Sequence, residues 1–445
     1  MIVIPKVSIV IPSLNSVEYI KECIDSVLNQ TLKDIEIICV DAGSTDGTLE
    51  ILRGYERQDA RLKVIVSSKK SYGYQMNLGI REAKGEYLGI VESDDFIKQE
   101  MYEVLYCIIT KFGCDVVREN ILGFEEIGGN KKFNELAISY IPDLYCKLTN
   151  FQQDERIIKD TWNMNQSGIY RLSFIENNNI RFNETSGASY QDTGFWFQVS
   201  AFASNIYIHN EAHYCYRRDN PNSSCNSKEK VYCICEEYDF IRDIFKDNSE
   251  LKQRILPIIA YLRFLAYRWN LERIGDEFKQ DFIHKIKYDF EYINKNGELD
   301  EKLFPEWHYA AYKNIMGDPD QYYYNITNKP LGAVNKIKNQ LSYKLGSAVV
   351  KSKNVSSFVM LPIRVVKILL KHSFEKRVKE VIYATQPDLK PKSIEEYADY
   401  YDALKIKKHL SYKIGKQLVN HPFTFMFRIY STYREYQKDA KSNLY

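Results

Sequence analysis

Glu92-Ser93-Asp94-Asp95 places three carboxylates in four residues, directly behind the apolar run Gly89-Ile90-Val91. Like charges this close repel, and burying them unpaired is costly, so the cluster calls for a cation between them. Oxygen-only ligands favour Mg2+ or Mn2+ over zinc, and such an ion can hold a diphosphate while it leaves. A plainer reading stays open, in which Asp94 or Asp95 caps the amphipathic stretch carrying Ile97, Met101, Val104, Leu105 and Ile108. A further acidic group, Asp41, closes the apolar run 35 to 40 and precedes Ala42-Gly43-Ser44-Thr45-Asp46-Gly47. There Gly43 and Gly47 permit a tight turn, Ser44, Thr45 and Asp46 can cap a helix, and Asp41 can accept from a base N–H or a ribose hydroxyl. No GxGxxG and no GxxxxGK[ST] occurs, which argues against a dinucleotide dehydrogenase and a P-loop NTPase.

The elements that must position these groups are short and β-branched. Residues 7 to 12, 35 to 40, 62 to 66 and 87 to 91 read as strands, and stretches of helical period lie between them, such as 17 to 30 with Ile20, Cys23, Ile24, Val27 and Leu28 on one face. Alternation of this kind predicts parallel βαβ units with both sheet faces covered. In such sheets the ligand lies beyond the carboxyl ends of the strands, where Pro12-Ser13-Leu14-Asn15, the Asp41 turn and Glu92 to Asp95 all fall.

Jointly, VSIVIPSLNSVEYIKECIDSVLNQT, IEIICVDAGSTDGT and YGYQMNLGIREAKGEYLGIVESDD resemble the N-terminal domain of family 2 glycosyltransferases, and GASYQDTGFWFQ extends the likeness towards residue 225. The resemblance implies a GT-A fold: α/β, Rossmann-like, with a mostly parallel central sheet flanked by helices. It further implies an inverting enzyme of the kind that builds bacterial surface polysaccharides. On it, Pro12, Asn15, Asp41, Gly43, Asn77 and Ser93 would serve the nucleotide, a uracil one in the best-known members. Asp94 and Asp95 would hold Mg2+ or Mn2+, and Glu92, Gln191, Trp196, His213 and Arg217 would serve sugar and diphosphate. Asp192 would be the general base, a role suited to a carboxylate held ionised in a helix's first turn, with Tyr190, Phe195 and Trp196 as a sugar-stacking wall. Asp192 as a simple helix cap, and His213, Arg217 and Arg218 as ordinary strand and loop residues, stay open. Three departures stand out: Ala42 and Glu92 where the family commonly has Asp, and Gln191 where it often has Glu. They motivate a rival reading as a non-catalytic nucleotide-sugar-binding or scaffolding subunit.

At 445 residues, with 44% hydrophobic and 27% charged residues, the chain is long enough for more than one folded unit. The expected division is a catalytic domain over 1–226 (nucleotide half 1–118, acceptor half 119–226), a helical region over 227–330 and a basic helical tail over 331–445. That tail carries 22 Lys/Arg against 9 Asp/Glu and an echo, LSYKLG at 341 and LSYKIG at 410, read as a duplicated helical unit. Within it, 363 to 372 has the pattern of a basic amphipathic helix, suited either to an anionic membrane surface or to packing on its own domain with a solvated face. Nucleic acid is not expected as a partner, since no recognition motif accompanies the charge. Nine cysteines of irregular spacing read as free thiols, and no zinc spacing is seen. With no signal peptide pattern and no apolar run of 18 residues, the expectation is a cytoplasmic protein, peripheral at the inner membrane face, acting on a nucleotide diphosphate sugar and a glycan acceptor, free or lipid-linked.

Overall fold

The computed structural model describes residues 4–223, 227–328, 330, 332–352, 359–385, 390–422 and 424–443. Cys225 lies outside them. The chain divides into two compact units, the first ending at Gly275 and the second starting at Asp276.

The first unit opens with β1 (Val7–Ser13), α1 (Ile20–Leu28), β2 (Ile35–Asp41), α2 (Thr48–Gln58), β3 (Leu62–Val66), α3 (Tyr72–Glu82) and β4 (Tyr87–Ile90). Every residue of β1 and β4 is buried, as expected for strands covered on both faces. It continues with β5 (Phe96–Ile97), α4 (Met101–Phe112), β6 (Val116–Ile127), β7 (Asn130–Leu136), β8 (Leu148–Thr149), α5 (Arg156–Lys159), β9 (Gly168–Arg171), α6 (Leu172–Asn177), α7 (Gln191–Phe202) and β10 (Ile206–Arg217). The strands form one sheet in the order β3-β2-β1-β4-β9-β6-β10-β5, with β7 on β6 and β8 on β10. From β3 to β4 it is parallel; β9 then runs antiparallel to both β4 and β6, so the sheet is mixed rather than mostly parallel.

β1 lies between β2 and β4, with Ser13 opposite Asp41 and Val10 opposite Ile90. The chain reverses its direction of travel across the sheet here, so the carboxyl ends of β1, β2 and β4 open onto one crevice. A second feature shapes its far side. β10 runs parallel to β6 but advances from His209 to Tyr214 while β6 advances only from Glu119 to Ile121, a bulge that breaks the ladder.

The first unit extends past the boundary expected at 226. Two helices, α8 (Cys233–Phe245) and α9 (Lys252–Arg273), belong to it, and buried Tyr238, Ile241, Phe245, Ile255, Phe264 and Tyr267 supply their inward faces. Tyr238 meets Phe197 of α7 edge-on at 6.2 Å.

The second unit is helical throughout its described residues, from Lys279–Lys295 to Phe425–Asn443. The echo is a pair of helices, Leu341–Val350 and Leu410–Asn420, that cross face to face. A Cβ on Gly346 would lie 1.6 Å from the Ser411 carbonyl oxygen, and one on Gly415 would lie 1.6 Å from that of Ser342. The crossing is therefore reciprocal: each copy's glycine meets the other copy's serine. The shorter helices before them, Ala333–Lys338 and Tyr400–Lys408, bury Ala333, Ile337, Ala403 and Ile406 in a common core. The repeat extends to the flanking Lys336-Ile337-Lys338 and Lys405-Ile406-Lys407.

Only glycine fits at this crossing. Gly346→Ala is expected to destabilise the second unit by about 1–3 kcal/mol or more, the range for forced overpacking, whereas Gly317→Ala, whose Cβ meets open space, leaves stability near wild type. Denaturant unfolding of the two variants checks this; equal midpoints would remove the crossing from the fold's support.

Candidate active site

Five side chains hold the acidic turn after β4. The turn itself is tight, with the Asp95 N–H donating to the Glu92 carbonyl at 3.1 Å. Tyr214 of β10 grips both ends, its hydroxyl accepting from the Glu92 N–H (3.1 Å) and donating to Asp95 Oδ2 (2.6 Å). Arg217 donates its backbone N–H to Asp95 Oδ1 (2.7 Å) and its Nε to the Asp94 carbonyl (2.9 Å). Asn220 donates to Asp94 Oδ2 at 2.7 Å. Glu92 Oε1 accepts from the Tyr72 hydroxyl (2.7 Å) and from Gln166 Nε2 (2.9 Å).

Burial dominates the electrostatics. It pushes the Glu92 carboxyl up to about 7, with Asp94 and Asp192 adding to the rise while Gln166 and Tyr72 oppose it. Burial and the neighbouring Asp94 likewise hold the Asp95 carboxyl well above the usual carboxylate range. Asp192 stands in the first turn of α7, half-buried, its carbonyl fixed by Asn165 Nδ2 at 2.7 Å. Desolvation raises it to about 6, against the opposing pull of the Thr193 N–H. Two carboxylates with different environments thus face the same field, one carried by the end of β4 and one by the start of α7.

Several residues expected to bind substrate have their polar atoms engaged within the protein. Asp41 is fully buried, and four donors reach its two oxygens: Gly43 N (2.9 Å) and Ser44 N (2.7 Å) on Oδ1, Ser13 Oγ (3.0 Å) and Ser44 Oγ (2.6 Å) on Oδ2. A carboxylate offers about four lone-pair sites, so Asp41 has none left for a base and acts as the organiser of its turn. Asn77 is also buried and spent: it donates to the Phe182 carbonyl (2.9 Å) and Glu184 (3.1 Å) and accepts from the Phe182 N–H (2.9 Å). Trp196 is buried edge-on to Phe197, and Phe195 is stacked on Phe182, so neither forms a sugar wall.

Gln191 departs from expectation in an instructive way. Its Oε1 accepts from the Ser189 N–H (2.6 Å) while its Nε2 donates to Thr185 Oγ1 (2.9 Å) and the Gly187 carbonyl (3.2 Å). A carboxylate cannot donate to a carbonyl, so this loop requires the amide, and the residue clamps the loop. His213 sits in the β10 bulge, where Glu119 takes up both its backbone N–H (2.9 Å) and its Nδ1 (2.8 Å). That pairing holds the imidazole above its ordinary value. Arg217 is spent on the acidic turn and on Glu22 at 2.9 Å, and it packs over Tyr19 and Phe124.

What remains at the rim is smaller. Asn15, in the left-handed region at φ 51°, ties the β1 loop to the Asp41 turn through Thr45 N (2.9 Å) and Ser44 Oγ (2.8 Å). Gly43 and Ser93 are half-buried, Pro12 is buried within β1, and Arg218 is exposed. Asp94 keeps Oδ1 free of any donor among the described residues. Those residues hold no group of three or more His, Cys, Asp or Glu arranged for a metal. Asp94 with Asp95 behind it still fits a hard cation that draws its other ligands from phosphate and water, the usual manner of Mg2+.

Tyr72, Asn165, Gln166, Tyr214 and Glu237 were not singled out from the sequence. Glu237 of α8 accepts from the Gly194 N–H (2.9 Å) and Asn183 (3.1 Å), and burial drives it up to about 8. Of these, only Tyr72 lies in a stretch quoted above, as the first residue of YGYQMNLGIREAKGEYLGIVESDD.

The family described as Glycosyl transferase family 2 matches residues 8–188, and a domain of unknown function (DUF8374) matches 249–442. Glycosyltransferase GlyG of Streptococcus pneumoniae serotype 4 is 34% identical over 313 residues, 66% of this chain and 98% of that protein. The poly(ribitol-phosphate) beta-glucosyltransferase of Bacillus spizizenii is 32% identical over 265 residues, 58% of this chain and 39% of that protein. Among solved structures, S. aureus TarS 1-349 in complex with UDP-GlcNAc shares the fold, with a TM-score of 0.55 at 23% identity over 72% of this chain and 90% of that one.

Glu92→Gln preserves an acceptor for both Tyr72 and Gln166 while removing the ionisation. Because the folded pKa lies above the unfolded one, the wild-type carboxyl loses stability as pH rises from about 4.5 through 7. The stability of Glu92→Gln relative to wild type is therefore expected to climb between pH 5 and pH 8, by on the order of 1–3 kcal/mol, in thermal melts. A pH-independent difference would contradict the raised pKa.

Proposed function

Because the chain belongs to glycosyl transferase family 2, we propose that it moves a sugar, with inversion, from a nucleotide diphosphate donor to a hydroxyl of a bacterial surface glycan. Asp192 is the general base. The observation that carries this reading is the start of α7, which sets a half-buried carboxyl of pKa about 6 into the field of the β4 acidic turn. A base must be ionised at working pH yet basic enough to take a hydroxyl proton, and a value near 6 satisfies both. Inversion needs no covalent nucleophile.

The nucleotide would lie over the β1, β2 and β4 ends, on the rim that Asn15 and the Asp41 turn form together. A UDP-sugar is the preferred donor, a reading supported by the fold shared with TarS, which was solved with UDP-GlcNAc. Asp94 would hold Mg2+ or Mn2+, with Asp95 behind it; when bound, the ion supplies positive charge to the departing diphosphate. Arg218, exposed and next in sequence to Arg217, would assist. The acceptor class follows from the relatives, one of which glucosylates poly(ribitol phosphate) by its name.

The basic tail is read as a contact with anionic membrane. On the helix Leu361–Thr385, Ile363, Val366, Leu370 and Phe374 recur at helical spacing and are each half or more exposed, between Arg364, Lys367 and Lys371. No described helix is long and apolar enough to cross a membrane. An apolar stripe edged by cations suits a helix lying in the interface plane.

Asp192→Asn is expected to lower transfer by about 10²–10⁴-fold while leaving the UDP-induced thermal shift intact, and wild-type kcat/KM should rise with pH through about 6 and then level off. Full transfer by Asp192→Asn removes the base assignment. For the tail, Leu370→Glu/Phe374→Glu in the full chain should lose flotation with phosphatidylglycerol vesicles; flotation equal to wild type rejects the membrane contact.

A further inference from the structure

An aromatic pair stands beside α7, and of its two rings only Tyr190 belongs to the sugar wall expected from the sequence. Trp269, on α9, is 46% exposed. Its ring meets that of Tyr190 edge-on, centroids 6.0 Å apart at 89°. Tyr190 is the residue preceding α7, two positions before Asp192, and it adopts the left-handed region at φ 70°, which disfavours a residue of this size. The conformation is held from below. The Tyr190 hydroxyl donates to Asn270 Oδ1 at 2.9 Å, and Asn270 is fully buried, donating in turn to the Val231 carbonyl at 2.9 Å.

Arg273 completes the support. It bonds the Ser227 carbonyl (2.6 Å), the Lys230 carbonyl (2.8 Å) and Asn270 Oδ1 (2.7 Å), and its guanidinium lies 5.5 Å from the Tyr190 ring and 5.6 Å from the Trp269 ring. Single exposed apolar residues are ordinary. This one differs because it packs on Tyr190, which a buried amide and a strained backbone hold, and beside an anchored arginine; that ordering is costly if the pair merely faces water.

We infer that Trp269, backed by Tyr190 and Arg273, is a stacking platform for a sugar ring of the acceptor glycan. The inference rests on the transferase reading, because it takes Asp192 as the point where the acceptor hydroxyl arrives. A pyranose presents a face of C–H groups that an indole covers well, and a ring already immobilised loses little entropy on binding. With its hydroxyl at Asp192 and the preceding ring on Trp269, the acceptor would be gripped along its chain. Trp269 is thus a specificity residue that never touches the reacting atoms.

The test is native affinity electrophoresis of the full chain in gels cast with chondroitin, a β-glucan or a galactan. Wild type is expected to be retarded by at least one of them, Trp269→Ala to lose about fivefold or more in affinity, and Trp269→Phe to fall between. The UDP-induced thermal shift should be the same in all three. Asp192→Asn should keep the retardation while losing transfer, so failure of the base assignment and failure of the platform read out separately. Retardation of Trp269→Ala equal to wild type, or no retardation of wild type in any gel, overturns the inference. Should Trp269→Ala lose its UDP shift, Trp269→Phe decides: weaker retardation with an intact shift supports the platform, and undiminished retardation rejects it.

Discussion

Three carboxylates compressed into one turn at the end of a buried strand make an electrostatic problem that the surrounding elements are arranged to contain. β10 delivers the Tyr214 hydroxyl to both ends of the turn and spends Arg217 on its middle, while α3 and the segment before β9 send Tyr72 and Gln166 to Glu92. The containment is incomplete: burial still raises Glu92 and Asp95, and among the described residues no donor reaches Asp94 Oδ1 or Glu92 Oε2. The groups that would otherwise be free to meet an anionic substrate have been consumed in holding the turn. Chemistry is left to the few that were not.

The division between holding and reacting explains which parts of the site could be read in advance. Strand positions 7 to 12, 35 to 40 and 87 to 91 are legible because continuous β-branched runs suit strands buried on both faces. Their convergence followed from topology alone. Side-chain direction did not. Asp41, Asn77, Gln191, Trp196, His213 and Arg217 sit in the right neighbourhood but point into it, because each finds partners that one-dimensional pattern cannot supply. Asn77 meets Phe182, and Arg217 meets Glu22, across more than a hundred residues of chain. Gln191 is the clearest case. What looked like a weakened acid is an amide required for its ability to donate and accept at once.

Beyond residue 226 the helical pattern was readable but its allegiance was not. α8 and α9 look like the start of a separate helical region, yet Tyr238 and Glu237 close over α7, and α9 carries Asn270 beneath Tyr190. In the second unit the repeated LSYK[LI]G did announce a duplication, and the structure supplies the reason its glycines stand where they do. Two backbones touch there, and neither copy can change its glycine without obstructing the other.

The bulge in β10 governs the handedness of all this in a simple way. Between His209 and Tyr214 the strand gains an odd number of residues on its neighbour, so the in-and-out alternation that serves the sheet's core before the bulge is inverted after it. An unbroken strand would turn Tyr214 to the opposite face, and the Glu92 amide and Asp95 would lose the hydroxyl they share. The buried Glu119, which looks idle at the far side of the sheet, restores the N–H that the irregularity costs. It acts as the phase-setter of the crevice: a buried residue that helps determine which side of β10 faces the acidic turn.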